Sequence, residues 1–558
     1  MESRSDGVTM IDVLRAKASQ LPDFQIYRFL DDGETVTDSL MCAQLDRRAR
    51  EIAAELQRRF PPRARVLLIV PPGLDGIAGY FGALYAGIVP VPLFPPQDAS
   101  AIARMKKTAA DAQVSGVLTT SALAGPLSAG GIPVVVADQV PADADAWNDP
   151  RLGAGDLAFL QYTSGSTGDP KGVMVAHGTL ILTCHDIDRA FLHDANSVMV
   201  TWLPTFHDMG LIYGVLLPLL IGFPCYVMSP VTFLRKPIRW LRAISTYRGT
   251  HSAAPNFAYD LCVRRTTAEE RRALDLSSWR VASNGAEPIR ESSLTEFASA
   301  FAASGFTFTS FCPSYGMAEA TLKITTTCVG KASRILRLDG EALEEGRVVP
   351  AEGGRPVVGC GWSNIGAELA IVDPETCTPR GANEVGEVWV SSPSIAQGYW
   401  RRPEQTEKTF RAHTSDGRGP FLRTGDLGFL HDGEELFITG RLKDLLIIRG
   451  RNHYPQDLEL TAERADEAVR PGCTAAFLTG DDRVALLVET QAASEDPQAV
   501  LRKVRAAVAA EHGVAVSDLV AFPPGTLPKT SSGKIRRTAS RELLLSGVPA
   551  ALAEWHRT

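Results

Sequence analysis

Between about residue 60 and residue 320, short runs rich in Val, Leu and Ile alternate with amphipathic segments. "RVLLIVPP", "VSGVLTT", "IPVVVAD", "DLAFLQYT", "SVMVTWLP" and "WRVASNG" have the length and apolar content of buried strands. "KPIRWLRAISTYR" and "IRESSLTEFASAFAAS" read as helices, and "TTAEERRALDL" opens with a capping box formed by Thr267 and Glu270. Alternation of this kind predicts an α/β fold: a mostly parallel sheet with helices on its faces. Ligands of such sheets sit outside the carboxyl ends of the strands. The stretch "QYTSGSTGDPKG", Gln161–Gly172, follows the predicted strand "DLAFLQYT" and so falls at such a place.

At 558 residues the chain is too long for one core. From about 345 to 440 the texture turns to short strands split by turn residues, as in "AELAIVDPETCTPRGANEVGEVWVSS" and "EELFITG". After "GRLKD" a βα pattern resumes with "LLIIRGRNHYPQDLELTAERA", then the hairpin-like "TAAFLTGDDRVALLVET" and the helix "PQAVLRKVRAAVAAEHG". These changes predict a large N-terminal domain over 1–440 that includes a β-rich subdomain at 345–440. A separate small domain follows over 446–558. No charged residue lies between Asp208 and Arg235, yet Pro218, Pro224 and Pro230 break the stretch too often for a membrane span. "GLIYGVLLPLLIG" reads instead as a buried helix and "PCYVMS" as a buried strand. The net charge of -7 gives no basic face for a nucleic acid. Nine cysteines without a C-x-x-C pair, and an N-terminus without an apolar signal core, point to reduced thiols in the cytoplasm and to no integral membrane association.

The glycine loop lacks the Walker spacing, since the fifth residue after Gly165 is Pro170. Its glycines still let backbone N–H groups approach an anion, while Thr163, Ser164, Ser166 and Thr167 add hydroxyls and Lys171 adds charge. The alternative is a Ser/Gly surface turn. "PKTSSGKIRR" is a second such loop, and Lys529, Lys534, Arg536, Arg537 and Arg541 fall within thirteen residues that hold no acid. It reads either as a solvated basic turn or as a lysine delivered to a phosphate. "RTGDLGFL" ends a strand with Asp426 in a turn, where the carboxylate either caps the turn or accepts ribose hydroxyls. "SYGMAEATL" sets Tyr315 four residues before Glu319, a pair suited to a purine and to Mg²⁺, or to core and surface. "FHDMGL" sets His207 beside Asp208, as a buried histidine or a substrate contact. The acids and histidines of "CHDIDRAFLHD", from His185 to Asp194, match no metal spacing and read as an exposed helix face.

In combination, the order glycine loop, HDMG, NGAEP, YGMAE, TGD, GRLKD and PKTSSGK resembles the adenylate-forming superfamily of acyl-CoA synthetases, peptide-synthetase adenylation domains and luciferases. "TWLPTFHDMGLI", "SPVTFLRKPIRWLRAIS", "APNFAYDLCVRR" and "GRLKDLLIIRGRNHYPQDLE" are similar to fatty acyl-AMP ligases, as is the segment Cys328–Cys360, which looks like the insertion of that branch. The resemblance implies a large AMP-binding domain of parallel sheets with flanking helices, a hinge at 441–445 about Lys443, and a small mobile α+β C-terminal domain. It implies ATP and Mg²⁺, a fatty acid substrate, and a phosphopantetheinylated acyl carrier protein as acceptor. Thr163, Ser164, Gly165, Ser166, Thr167, Gly168 and Lys171 would cradle pyrophosphate. Gly285, Ala286 and Glu287 would line the adenine and acyl pocket. Tyr315, Gly316 and Met317 would bind the nucleotide, with Tyr315 on adenine, and Glu319 would hold Mg²⁺. Asp426 and Arg441 would hold the ribose, Lys534 would bridge the acyl carboxylate and the α-phosphate, and His207 would lie near that carboxylate. The insertion would pack on the large domain and restrain the rotation that CoA needs, and Arg536 and Arg537 would meet an acidic carrier protein. An acyl-CoA synthetase and a non-catalytic acyl-adenylate-binding module are the other readings.

Overall fold

The computed structural model of the chain describes residues 8–128, 131–163, 170–363, 365–480, 482–491, 496–530, 533–547 and 551–557. The chain divides into two compact units. The first comprises Met1–Arg334, Val358–Leu369 and Trp389–Arg423, and the second Ile335–Val357, Ala370–Val388 and Thr424–Thr558.

The first unit is built on two largely parallel sheets. An 8-stranded sheet has the order Lys323–Thr326, Phe311–Gly316, Val281–Asn284, His251–Ala254, Met199–Thr201, Cys225–Met228, Gln25–Leu30 and Val36–Met41. All inner neighbours pair in parallel, and the two edge strands are antiparallel. A 4-stranded sheet, Val89–Pro92, Arg65–Leu68, Gly116–Thr119 and Val134–Val136, is parallel throughout. Sequence periodicity marks each strand but not its sheet, so the division in two had no local signal.

"DLAFLQYT" belongs to neither sheet. Leu157–Thr163 pairs antiparallel with Lys171–Ala176, from Leu157↔Ala176 to Thr163↔Lys171. The glycine loop therefore joins the arms of a hairpin instead of leaving a parallel strand. Leu160, Tyr162 and Met174 of this hairpin pack with Leu67, Val91 and Val117 of the smaller sheet.

The capping box of Thr267 and Glu270 is present at the helix Ala268–Arg272. "GLIYGVLLPLLIG" is buried as expected, but as a π-helix, Met209–Leu216, that passes into an α-helix over Leu217–Ile221. Asp208 caps it, accepting the Met209 N–H at 2.7 Å. Among the described residues no helix is long and apolar enough to cross a membrane.

A 4-stranded sheet of Glu368–Val372, Gly386–Ser391, Leu422–His431 and Glu435–Arg441 carries the predicted β-rich texture. Within the second unit, Leu338, Leu343, Val348 and Val357 pack with Val385, Leu427, Phe429, Phe437 and Tyr454 in one core. "LLIIRGRNH" forms a short hairpin, Leu446–Ile448 with Arg451–His453, where one strand was predicted. Val469–Gly480, Arg483–Thr490, Val516–Phe522 and Ala553–His556 make a further sheet. The helices Pro455–Ala465 and Pro497–His512 bury Leu458, Leu501 and Val504 in its core.

The reading of "CHDIDRAFLHD" as an exposed face is corrected. His185 is exposed, but Cys184, Asp186 and Ile187 are buried in the helix His177–Phe191. Asp186 Oδ2 lies 2.8 Å from Lys323 Nζ, with side chains 1% and 4% exposed. Burial pushes the Asp186 carboxyl up and the Lys323 ammonium down. The His193 ring, wholly enclosed, stacks on His251 at 4.2 Å and on Phe223 at 5.0 Å. Lys323, Phe223 and His251 lie far along the chain, whereas the 3.0 Å contact of His193 Nδ1 with Asp188 Oδ1 is local, so the sequence pattern shows little beyond polarity. Asp186→Ala strands a buried cation and is expected to cost about 3–5 kcal/mol in urea unfolding. The double variant Asp186→Leu/Lys323→Met is expected to unfold within about 1 kcal/mol of the parent, because it removes both charges together.

Candidate functional site

The parallel strands of the larger sheet hand their carboxyl ends to the predicted motifs. Val281–Asn284 runs into Gly285, Ala286 and Glu287, Phe311–Gly316 into Met317 and Glu319, and Met199–Thr201 towards His207. Ala286 takes φ +69°, left-handed for a residue with a Cβ. Glu287 Oε1 accepts the Phe257 N–H at 2.6 Å, which ties this turn to the start of the helix Asn256–Arg264. Tyr315 sits in the strand opposite Thr325. A Cβ on Gly316 would lie 1.8 Å from the Leu322 carbonyl oxygen, so only glycine fits there. Met317 precedes the 3₁₀ turn Ala318–Ala320 that holds Glu319.

Thr163 ends its strand and Lys171 begins the next, whereas Ser164, Gly165, Ser166, Thr167 and Gly168 lie outside the described residues. Gln161 Nε2 donates to the Phe206 carbonyl at 3.1 Å and so joins this hairpin to the turn of His207. His207 Nδ1 lies 2.6 Å from Asp208 Oδ1.

The motif reading missed Tyr399. Its hydroxyl donates to Glu319 Oε1 at 2.8 Å, and Lys171 Nζ lies 5.1 Å from the centre of its ring. One buried tyrosine thus touches both the predicted phosphate lysine and the predicted Mg²⁺ carboxylate. Its backbone is held in register: Met174 N donates to Gly398 O at 2.9 Å, Trp400 N to Gly172 O at 2.8 Å, and Ala396 N to Glu319 O at 2.9 Å. The only sequence signal was an aromatic pair, "GYW", in a turn-rich stretch.

In the second unit, Asp426 and Arg441 face each other across Leu422–His431 and Glu435–Arg441. Arg441 Nε donates to Asp426 Oδ1 at 2.9 Å. Asp426 is therefore inside a strand, not in a turn; its own N–H donates to Thr424 Oγ1 at 3.1 Å. Lys443 lies in the 3₁₀ turn Leu442–Asp444. Lys534 lies on a loop closed by the Lys529↔Ile535 bridge, and its N–H donates to Thr530 Oγ1 at 3.1 Å. Arg537 does not offer a docking contact. Its guanidinium donates to Glu459 and Asp444, and the side chain is 22% exposed. Sequence could not show this, because Glu459 and Asp444 lie 78 and 93 residues away.

Residues 14–400 match the family described as AMP-binding enzyme, and residues 443–545 match the Disco-interacting protein 2-like AMP domain. The chain belongs to the AMP-binding enzyme family. It is 45% identical to the medium-chain-fatty-acid–[acyl-carrier-protein] ligase JamA of Moorena producens, over 99% of this chain and 97% of that protein. It is 36% identical to the 4-hydroxyphenylalkanoate adenylyltransferase of Mycobacterium tuberculosis, over 96% and 92%. Its fold is similar to a Legionella pneumophila fatty acyl-adenylate ligase solved with acyl adenylate and pyrophosphate: TM-score 0.78, 37% identity, 98% of each chain. Another fatty acyl-adenylate ligase, from work on the E. coli and L. pneumophila enzymes, aligns at TM-score 0.89 and 30% identity over 97% and 98%.

The donor set of this AMP-binding enzyme suits Mg²⁺ shared with a nucleotide. No group of three or more His, Cys, Asp or Glu forms a metal cage among the described residues. A single buried carboxylate, Glu319, fits an ion that keeps phosphate oxygens and water as its other ligands. The turn that aims Glu319 depends on Gly316. Gly316→Ala is expected to lose about 3 kcal/mol in urea unfolding, since the opposing atom is a backbone carbonyl that cannot rotate away.

Proposed function

We propose that this enzyme activates a medium- or long-chain fatty acid with ATP and passes the acyl group to an acyl carrier protein. The observation that carries the reading is 45% identity across nearly the whole length of a medium-chain-fatty-acid–[acyl-carrier-protein] ligase. The meeting of Lys171 and Glu319 on Tyr399 supports it. The acid's carboxylate attacks the α-phosphorus of ATP, the bond to the β-phosphate oxygen breaks, and acyl-AMP and pyrophosphate form. The phosphopantetheine thiol then attacks the acyl carbonyl and AMP leaves. No protein nucleophile is needed in either step. The protein's task is to neutralise and orient the phosphates.

In this reading Lys171 and the glycine loop, Thr163–Gly168, cradle the β- and γ-phosphates. Glu319 holds Mg²⁺, which when bound neutralises phosphate charge, and Tyr399 orients Glu319 and Lys171 together. Gly285–Glu287 and Tyr315–Met317 receive the adenine, and Asp426 and Arg441 the ribose. Lys534 places its charge at the α-phosphate and the acyl carboxylate. His207 lies by that carboxylate, and the buried π-helix from Met209 walls the alkyl chain. The small domain, 446–558, rotates about Lys443 between the two half-reactions. No disulfide joins the nine cysteines, and we place the enzyme in the cytoplasm.

The insertion bears on the choice between a carrier protein and CoA. A second reading, ligation to free CoA, has support in a relative 36% identical, the putative fatty-acid–CoA ligase FadD21 of M. tuberculosis. Residues 335–357 belong to the second unit and contact both the β-rich sheet and the residues after the hinge. Arg355 Nη2 lies 2.6 Å from Asp457 Oδ2, and its guanidinium covers the Tyr454 ring at 4.8 Å. Tyr454 and Asp457 belong to "RNHYPQD", so both branch-specific segments meet at Arg355. We assign to this contact a restraint on the rotation that CoA would need. Deleting the segment would strip Leu338, Leu343 and Val348 from a shared core, so a point variant is the cleaner probe.

Pyrophosphate release across fatty acids of graded length tests the activity. Release is expected with ATP and acid alone, and acyl transfer only when a phosphopantetheinylated carrier is added. Lys534→Ala is expected to cut acyl-AMP formation by about a hundredfold. Transfer from preformed acyl-AMP should fall far less, and equal loss in both steps would remove the role given to Lys534. With CoA present the parent enzyme is expected to accumulate acyl-AMP, and Arg355→Ala to gain acyl-CoA synthesis. Robust acyl-CoA formation by the parent would establish the CoA reading instead.

A further inference from the structure

Two motifs far apart in sequence are joined by one side chain in the second unit. Asp444 closes the turn Leu442–Asp444 beside Lys443. Arg537 opens the helix Arg537–Leu545, three residues after Lys534. Arg537 Nη1 donates to Asp444 Oδ2 at 2.7 Å, while Nε and Nη2 donate to Glu459 Oε1 and Oε2, each at 2.7 Å. Glu459, 5% exposed on the helix Pro455–Ala465, also accepts the Ala476 N–H at 3.0 Å. Arg537 therefore holds the turn beside Lys443, a helix and, through Glu459, a strand.

The loop of Lys534 is anchored to this arginine on its C-terminal side. Arg536 N donates to Pro528 O at 2.9 Å and Thr530 N to Lys534 O at 2.8 Å. On the other side Lys529 Nζ donates to the Gly472 carbonyl at 2.8 Å. A charge delivered by a rotating body is useful only if nothing flexes between the pivot and the charge, because a displacement of about 1 Å costs about a hundredfold in rate. A direct link from the Lys443 turn to the Lys534 loop runs through the Arg537–Asp444 contact.

We propose that Arg537 is a positioning residue that locks Asp444 to the body carrying Lys534. The chain then bends at Lys443 and not beyond it, and Lys534 keeps one setting relative to the pivot. This rests on the roles proposed above for Lys443 and Lys534. The planar fork is essential: a lysine retains the charge but cannot pair bidentately with Glu459 while reaching Asp444.

Asp444→Ala removes only the arm beside Lys443 and leaves the fork to Glu459. Its unfolding midpoint and its KM for ATP are expected to match the parent. Its kcat for acyl-AMP formation should fall by about tenfold or more, with transfer from preformed acyl-AMP unchanged. Arg537→Lys should show the same kinetic split without rescue. Added to Lys534→Ala, Asp444→Ala should cause no further loss, because there is no charge left to misplace. Loss of stability in proportion to activity, further loss in the double variant, or parental kcat in Asp444→Ala would overturn the proposal. Lys534→Ala alone separates the two levels: if it leaves acyl-AMP formation intact, the proposed function fails, whereas if it is inactive and Asp444→Ala is normal, only the positioning role fails.

Discussion

Parallel pairing of the inner strands is the constraint on which the first unit depends. A parallel strand cannot be reached by a tight turn, so each connection crosses over the sheet and every carboxyl end opens on the same edge. That geometry gathers His207, Gly285–Glu287 and Met317–Glu319 from three remote parts of the chain. Close approach then dictates residue type, as at Gly316, where the Leu322 carbonyl, just before the next strand, occupies the place of a side chain.

Buried and half-buried charges serve position more than net stability in both units. Asp186 with Lys323, and Arg537 with Glu459 and Asp444, each join segments distant in sequence. Taking such groups out of water largely cancels their attraction, so their net contribution to stability is small, yet losing the last partner of a buried charge is costly. That asymmetry makes them exacting about geometry: any arrangement that separates the partners leaves a bare charge inside the protein. Tyr399 acts at lower cost, with a neutral hydroxyl on Glu319 and a ring face towards Lys171.

Much of the fold was legible because strand and helix signals are local. The predicted strands at 65–68, 116–119, 134–136 and 281–284 are present, as are the helices Ile238–Thr246, Glu291–Phe301 and Pro497–His512. The errors were of pairing and partner. "DLAFLQYT" has the composition of a parallel core strand, yet it pairs with the strand that the glycine loop leads into. Asp426 looked like a turn residue because Gly425 precedes it, but Arg441 stands opposite it in a strand ladder, next to a bulge between Leu427 and Gly428. Gln25–Leu30, an unremarked N-terminal stretch, completes the parallel part of the larger sheet.

The amino-acid sequence by itself determined the α/β class, the order of the site motifs, and the chemistry each residue type can offer: hydroxyls and glycines for phosphate, a carboxylate for a hard cation, lysines for charge. These are properties of a residue and its near neighbours. Only the tertiary structure decided that the parallel strands form two sheets, that Tyr399 joins Lys171 to Glu319, that Arg355 links the insertion to "RNHYPQD", and that Arg537 is spent on Asp444 and Glu459. Each of those depends on which distant segment comes to lie alongside, and a pairing between segments leaves no periodicity in either one.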